Sequence, residues 1–261
     1  MIDMEKHSGL PIKLDGVRIV LGSGVAVEKT SQRTLDEMKP FLMDDNAKFP
    51  KKTAYYMYRN VGFPKDRQMF SKNKLRFDLT VLENGLIGRE FARTIGHYHP
   101  FKPGTAVRYP EIYEIVTGEA MFMMQETGSD ENRVKSVLAV SAGQGDKVLM
   151  PPGFGHVTVN VGKTPLVTAN IVSDEFGSVY TAYRENHGPA YYVVEDQGKP
   201  VFLRNESYGR VPAPQLTEPR QSFRGTLYAA ASRDISKFSF LHSPEKFADA
   251  MKVEKLFELK R

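Results

Sequence analysis

The sequence predicts an all-β protein: an antiparallel jelly-roll barrel or sandwich, preceded by an arm of strands and a helix and followed by an extension ending in a helix. Three observations predict it. Across residues 53–180 the chain breaks into short apolar or alternating stretches, among them TAYYMYRNVG, LRFDLTVLE, GREFARTIGHYH, EIYEIV, AMFMMQE and PLVTANIVS, parted by Gly, Pro or Asn. Many short strands at short intervals are the mark of such a fold. Helical patterns lie outside this region, at TLDEMKPFLMDD and SPEKFADAMKVEKLFELKR. The six histidines stand at 7, 97, 99, 156, 187 and 242, and half of them fall in two turn-rich segments of the strand region.

Residues 1–50 form the arm. LPIKLDGVRIVLGSG offers one or two short strands, and Thr34 with Glu37 makes a capping-box pattern that opens a helix which Pro40 bends or ends. Residues 51–180 are the barrel that carries the chemistry. Met121, Met123 and Met124 lie in one of its strands and read as packing. Residues 181–261 hold a hairpin around Asp196-Gln197-Gly198, the Pro-rich connection VPAPQLTEP and a terminal helix. Ser243 caps that helix, Pro244 suits its first position, and Phe247, Met251 and Phe257 share its buried face. His187 and His242 belong to this extension as non-ligands.

Composition narrows the function. No apolar run approaches the ~20 residues that cross a membrane, and MIDMEKHSGLPIKLD lacks the apolar centre of a signal peptide. With no cysteine there is neither a disulfide framework nor a thiolate nucleophile, so a cytoplasmic protein is expected. The formal charge of +5 is spread along the chain without nucleic-acid-binding signatures, and suits a phosphorylated metabolite equally well.

The two histidine segments carry the site. His97 and His99 form H-x-H, so in a strand both imidazoles face one side. Glu111 follows after eleven residues that include Pro103, Gly104 and Pro110, and shares a strand face with Tyr113. The third histidine lies in Gly145-x5-Pro151-x-Gly153-x2-His156-x3-Asn160. Three imidazoles and a carboxylate suit Fe, Mn, Ni, Co or Zn better than Ca or Mg.

These segments resemble the paired motifs of the cupin superfamily, the second at every specified position. The long spacer before Pro-Glu-x-Tyr, after Thr94-x-Gly96-His97-x-His99, is similar to the cupin-type (archaeal-type) phosphoglucose isomerase family. The resemblance covers roughly residues 15–180. It implies a cupin jelly roll and one divalent transition metal, iron first, held by His97, His99, Glu111 and His156. It implies isomerisation of glucose 6-phosphate and fructose 6-phosphate, with mannose 6-phosphate as a further substrate, Glu111 as base and Tyr113 as relay. Phosphate contacts are implied at Tyr55, Thr80, Thr94, Gly96 and Tyr180, and a homodimer is expected. Two departures stand out. Where the family carries a Tyr and then Gly-His-x-Tyr, this chain has Val172 and then Gly177-Ser178-Val179-Tyr180. In an unbroken strand Thr94 would also point away from His97, so a bulge near Gly96 is required. Within cupins, a dioxygenase with the same four ligands and a non-enzymatic sugar-binding protein are the alternatives.

Overall fold

The computed structural model describes residues 1–220 and 224–259. Strands β1 (Ile2–Asp3), β2 (Ile12–Asp15) and β3 (Arg18–Leu21) form a small sheet of their own. Then come β4 (Lys29–Thr34), β5 (Thr53–Arg59), β6 (Leu75–Leu82) and the two-residue strands β7 (Leu86–Ile87) and β8 (Glu90–Phe91). The barrel is completed by β9 (Glu111–Thr117), β10 (Glu119–Thr127), β11 (Val134–Gly143), β12 (Lys147–Met150), β13 (Phe154–Asn160) and β14 (Leu166–Ser173). The chain ends with the hairpin β15 (Tyr191–Asp196) and β16 (Lys199–Arg204), then β17 (Gln215–Pro219) and β18 (Phe257–Leu259).

Two large sheets make the jelly roll, one ordered β12-β9-β14-β6-β5-β4 and the other β13-β10-β11-β17-β18. The chain crosses between them more than once: β9 feeds β10, β11 feeds β12, β12 feeds β13 and β13 feeds β14, and in the interior the Tyr113 and Phe122 rings lie 5.4 Å apart. The central strands of the six-stranded sheet are buried on both faces, while β4 at its edge is exposed or half-buried. The sheet's outer face, with Phe77, Leu79, Val81 and Ile171, packs against Leu10, Ile12, Phe70, Leu227, Phe238 and their neighbours. That double cover explains why all eight residues of β14 are buried and why its sequence runs apolar almost without alternation.

Both flanking segments take part in these sheets. β4 pairs with β5, β17 runs parallel to β11, and β15 touches β8, so positions 50 and 180 are not breaks between sheets. Gln125 of the barrel accepts from the Ala190 amide at 2.8 Å and donates to the Tyr98 hydroxyl at 2.6 Å, tying the extension to the barrel. The capping box is present: Glu37 N–H donates to Thr34 Oγ1 and Thr34 N–H to Glu37 Oε2. The helix it opens, Leu35–Met38, passes at Pro40 into a 3-10 turn.

Several segments depart from the sequence reading: the Pro-rich connection contains β17, the helix Leu227–Arg233 was not placed, and three further departures concern the terminal helix, GREFARTIGHYH and Pro64–Lys72. The long terminal helix is absent: two 3-10 turns, Pro244–Lys246 and Ala248–Met251, lead into the single helical turn Val253–Leu256 and then β18, with the basic residues 260–261 outside the described residues. The Ser243 hydroxyl caps nothing there and sits beside His242 Nδ1. Met251 and Phe257 are buried, but on separate elements, and Phe247 is exposed, so the apolar spacing served turns and an added strand. Second, GREFARTIGHYH is a regular strand only at β8. Third, Pro64–Lys72 is a helix the sequence reading did not place; Phe70 is its one buried residue, which leaves a weak apolar period.

Candidate metal centre

Beyond β8 the chain runs along β13 through single bridges, Arg93 opposite Val159 and His97 opposite His156. Four residues advance on one side while three advance on the other, which is the required bulge. Gly96 sits in it at φ 81°, and a side chain there would collide with Val157 and Tyr183. Thr94 and His97 therefore line the same cavity. The Thr94 hydroxyl accepts the Thr158 amide at 3.0 Å and pins the bulge.

Three elements converge on a cluster that could hold a metal ion: the bulged segment brings His97 and His99, β9 brings Glu111 and β13 brings His156. His99 Nδ1 lies 2.9 Å from the Tyr109 carbonyl, which can only accept, so Nδ1 carries the proton and Nε2 offers its lone pair inward. That Nε2 stands 3.1 Å from His97 Nε2. Glu111 Oε1 accepts from Asn170 Nδ2 at 2.6 Å, while Oε2 is buried without a hydrogen-bond partner. This orphaned oxygen lies 3.3 Å from His99 Nε2 and 3.4 Å from His156 Nε2. Ligands about 2.1 Å from a common ion at right angles sit about 3 Å apart, so the donor spacing fits a transition metal.

Electrostatics agree. Burial, reinforced by the neighbouring histidines, holds His97 well below the ordinary imidazole value. Burial lowers His156 as well, against the pull of Glu111. Both rings are neutral at pH 7 and free to coordinate. Burial alone would raise the Glu111 carboxyl, but contacts with His156 and His99 hold it well below the usual carboxylate range. Burial and then Glu111 push the Tyr113 hydroxyl far up, so it keeps its proton. Its oxygen lies 3.2 Å from His156 Nε2.

One cavity gathers every residue singled out in the sequence: Tyr55, Thr80, Thr94, Gly96, Tyr113 and Tyr180 line it together with the four donors. His187 and His242 lie outside the cluster. Six lining residues were missed: Met57, Arg59, Arg76, Ile95, Asn170 and Phe176. A signal existed for one of them, since Arg76, Asp78 and Thr80 alternate with Leu75, Phe77, Leu79 and Val81.

A family model described as glucose-6-phosphate isomerase (GPI) matches residues 32–210, which span the whole cluster. The chain belongs to the glucose-6-phosphate isomerase family. The glucose-6-phosphate isomerase of Thermococcus litoralis is 28% identical over 196 residues, covering 74% of this chain and 95% of that protein. That of Thermococcus onnurineus is 30% identical over 200 residues, with 74% and 95% covered. Among solved structures, oxalate decarboxylase of Bacillus subtilis shares 18% identity at a TM-score of 0.35, covering 50% of this chain and 29% of that one. The family match includes β15 and β16 and stops before the Pro-rich connection, so Leu227 and Phe238, which pack on the outer face of the six-stranded sheet, lie beyond it. Among the described residues no helix is long and apolar enough to cross a membrane.

Proposed function

We infer that this protein is a metal-dependent aldose–ketose isomerase that interconverts glucose 6-phosphate and fructose 6-phosphate. The observation that carries the reading is the buried, unpartnered Glu111 Oε2 facing three imidazole nitrogens, in a chain of the isomerase family. His97, His99, His156 and Glu111 would hold a divalent transition ion, which supplies Lewis-acid stabilisation of negative charge on the sugar oxygens when bound. Iron is the first ion to test, ahead of Mn, Ni, Co and Zn.

The chain's own groups do the rest. Thr94, Thr80, Tyr55, Tyr180 and the Gly96 amide are proposed to hold the phosphate by hydrogen bonds. Glu111 takes the proton from C2 of the open-chain aldose and returns it to C1, while a proton passes from the C2 hydroxyl to the C1 oxygen. Tyr113, kept protonated by burial, donates at an oxygen of the enediolate. Because C2 loses its stereochemistry in that intermediate, mannose 6-phosphate is a further substrate. Ser178 lines the cavity where the family carries a His, and a hydroxyl does not titrate near neutral pH, so either another group opens the ring, spontaneous opening of the anomers suffices, or the substrate differs.

The test is conversion of fructose 6-phosphate by metal-stripped protein reloaded with each ion in turn. Restored turnover is expected with at least one. No turnover with any ion, despite binding at all four ligands, would overturn the reading.

A further inference from the structure

The inner face of the six-stranded sheet carries a charge cluster that the reaction above does not use. Strand register sets it out in transverse rows. Val172 pairs with Arg76 on one side and Glu111 on the other; Asn170 pairs with Asp78 and Tyr113 in the next row. Arg59 reaches Asp78 from β5. Arg76 is thus level with the Glu111 carboxylate, with only Val172 between them in their row, and Arg59 stands beside Asp78 in the next. Neighbouring strands lie about 4.8 Å apart, so the first row spans about 10 Å.

Both guanidiniums bind one oxygen of one buried carboxylate, Asp78 Oδ2, at 2.7 Å from Arg59 and 2.8 Å from Arg76. The other Asp78 oxygen accepts the Asn60 amide. Two guanidiniums share this one carboxylate, and the Glu111 carboxylate is the next negative group that acts on Arg59. The described bonds use two of the five N–H donors of each guanidinium: Arg59 also gives Nη2 to the Met57 sulfur, and Arg76 gives Nη1 to the Ser173 carbonyl at 3.5 Å. Both side chains remain partly exposed, 34% and 26%, and both line the cavity.

We propose that Arg59 and Arg76, yoked through Asp78, form an anion-binding subsite at the reacting end of the cavity, where they stabilise the enediolate and recognise sugar phosphates ending in a carboxylate. This deepens the isomerase reading and rests on it for the catalytic role. A planar guanidinium pair matches the two oxygens of an enediolate or carboxylate, and charge placed in advance where it develops lowers the barrier.

The experiment compares binding of a five-carbon aldonic acid 5-phosphate with that of the matching alditol 5-phosphate, by calorimetry on metal-loaded wild type, R59Q, R76Q and R76K of verified metal content. Wild type is expected to prefer the acid by at least about tenfold. In R76Q that preference collapses while alditol affinity holds within about twofold, and R76K recovers part of it. In parallel kcat falls on the order of 10²-fold with KM little changed. R59Q is the severer variant because it weakens the hold on buried Asp78; R76Q leaves the Arg59–Asp78 pair intact and keeps the test open if R59Q fails to fold. An acid preference and kcat in R76Q equal to wild type would overturn the subsite. Wild type without turnover, but with an acid preference that tracks the arginines, would overturn the isomerase reading and leave the subsite standing.

Discussion

The two faces of the six-stranded sheet are made by the same strands and do opposite work. On β6, Leu75, Phe77, Leu79 and Val81 point outward into an apolar layer, while Arg76, Asp78 and Thr80 point into the barrel. On β9, Ile112 and Val116 belong to the outer layer, while Glu111 and Tyr113 face the cavity. A period of two lets neighbouring residues serve separate ends: the outer face holds the sheet together, and the inner face is free to be polar because the site is there. Substitutions on the two faces are therefore expected to separate stability from chemistry.

The largest effect is expected on the inner face. His97→Ala or His156→Ala removes a donor from a four-donor cluster and should lower metal content and turnover together, turnover by on the order of 10³-fold or more. Full activity at normal metal content would break the assignment. On the outer face, Phe77→Ala deletes a fully buried ring and should cost about 3–5 kcal/mol in denaturant unfolding. Turnover per folded molecule should stay near wild type. A fall in kcat comparable to that of the histidine variants would show that the faces are not separable.

Next in size is Asn170, whose amide holds Glu111 Oε1. Asn170→Ala leaves all four donors but frees the carboxylate to turn, and metal affinity should drop about 10–100-fold. Unchanged affinity would mean that the sheet alone orients Glu111. Protons probe the same cluster. His97 and His156 sit below the ordinary imidazole value of 6.5 because they are buried. The unfolded chain therefore binds these protons more readily than the folded one, and stability of the metal-stripped protein is full above that value and declines as pH falls below it. A melting temperature that rises on acidification from pH 7 to 5.5 would contradict this.

The contrast between faces also explains what could be read from the chain. The four candidate donors were legible as a cluster because His97, His99, Glu111 and His156 stand at fixed spacings beside Gly and Pro. The strands were legible because alternation and breakers mark them. Arg59 and Asn170 were not, and Arg76 showed only as one polar position in the alternation of β6, since a polar residue on a strand usually means the solvent side, and only the closed barrel turns that side inward. Val172 and Asn170 sit in a stretch that reads as ordinary buried strand until its pairing with Glu111 and Tyr113 is known. The terminal segment misled for the converse reason: its spacing suits a helix, but the open edge of β17 gives Phe257–Leu259 a partner that local pattern does not reveal.

The smallest expected effect tests how the bulge links the faces of the site. Thr94 lines the cavity, and its hydroxyl also accepts the Thr158 amide. Thr94→Val removes both capacities. If Thr94 holds the substrate phosphate, KM should rise about 3–10-fold, from the loss of one hydrogen bond, with kcat and metal content nearly unchanged. The unsatisfied Thr158 amide should separately cost about 1–3 kcal/mol of stability. Thr94→Ser keeps the hydroxyl and distinguishes the two roles: it should restore both KM and stability. A valine variant of lower stability but normal KM would confine Thr94 to pinning the bulge, and would leave the phosphate to the Gly96 amide and its tyrosine neighbours.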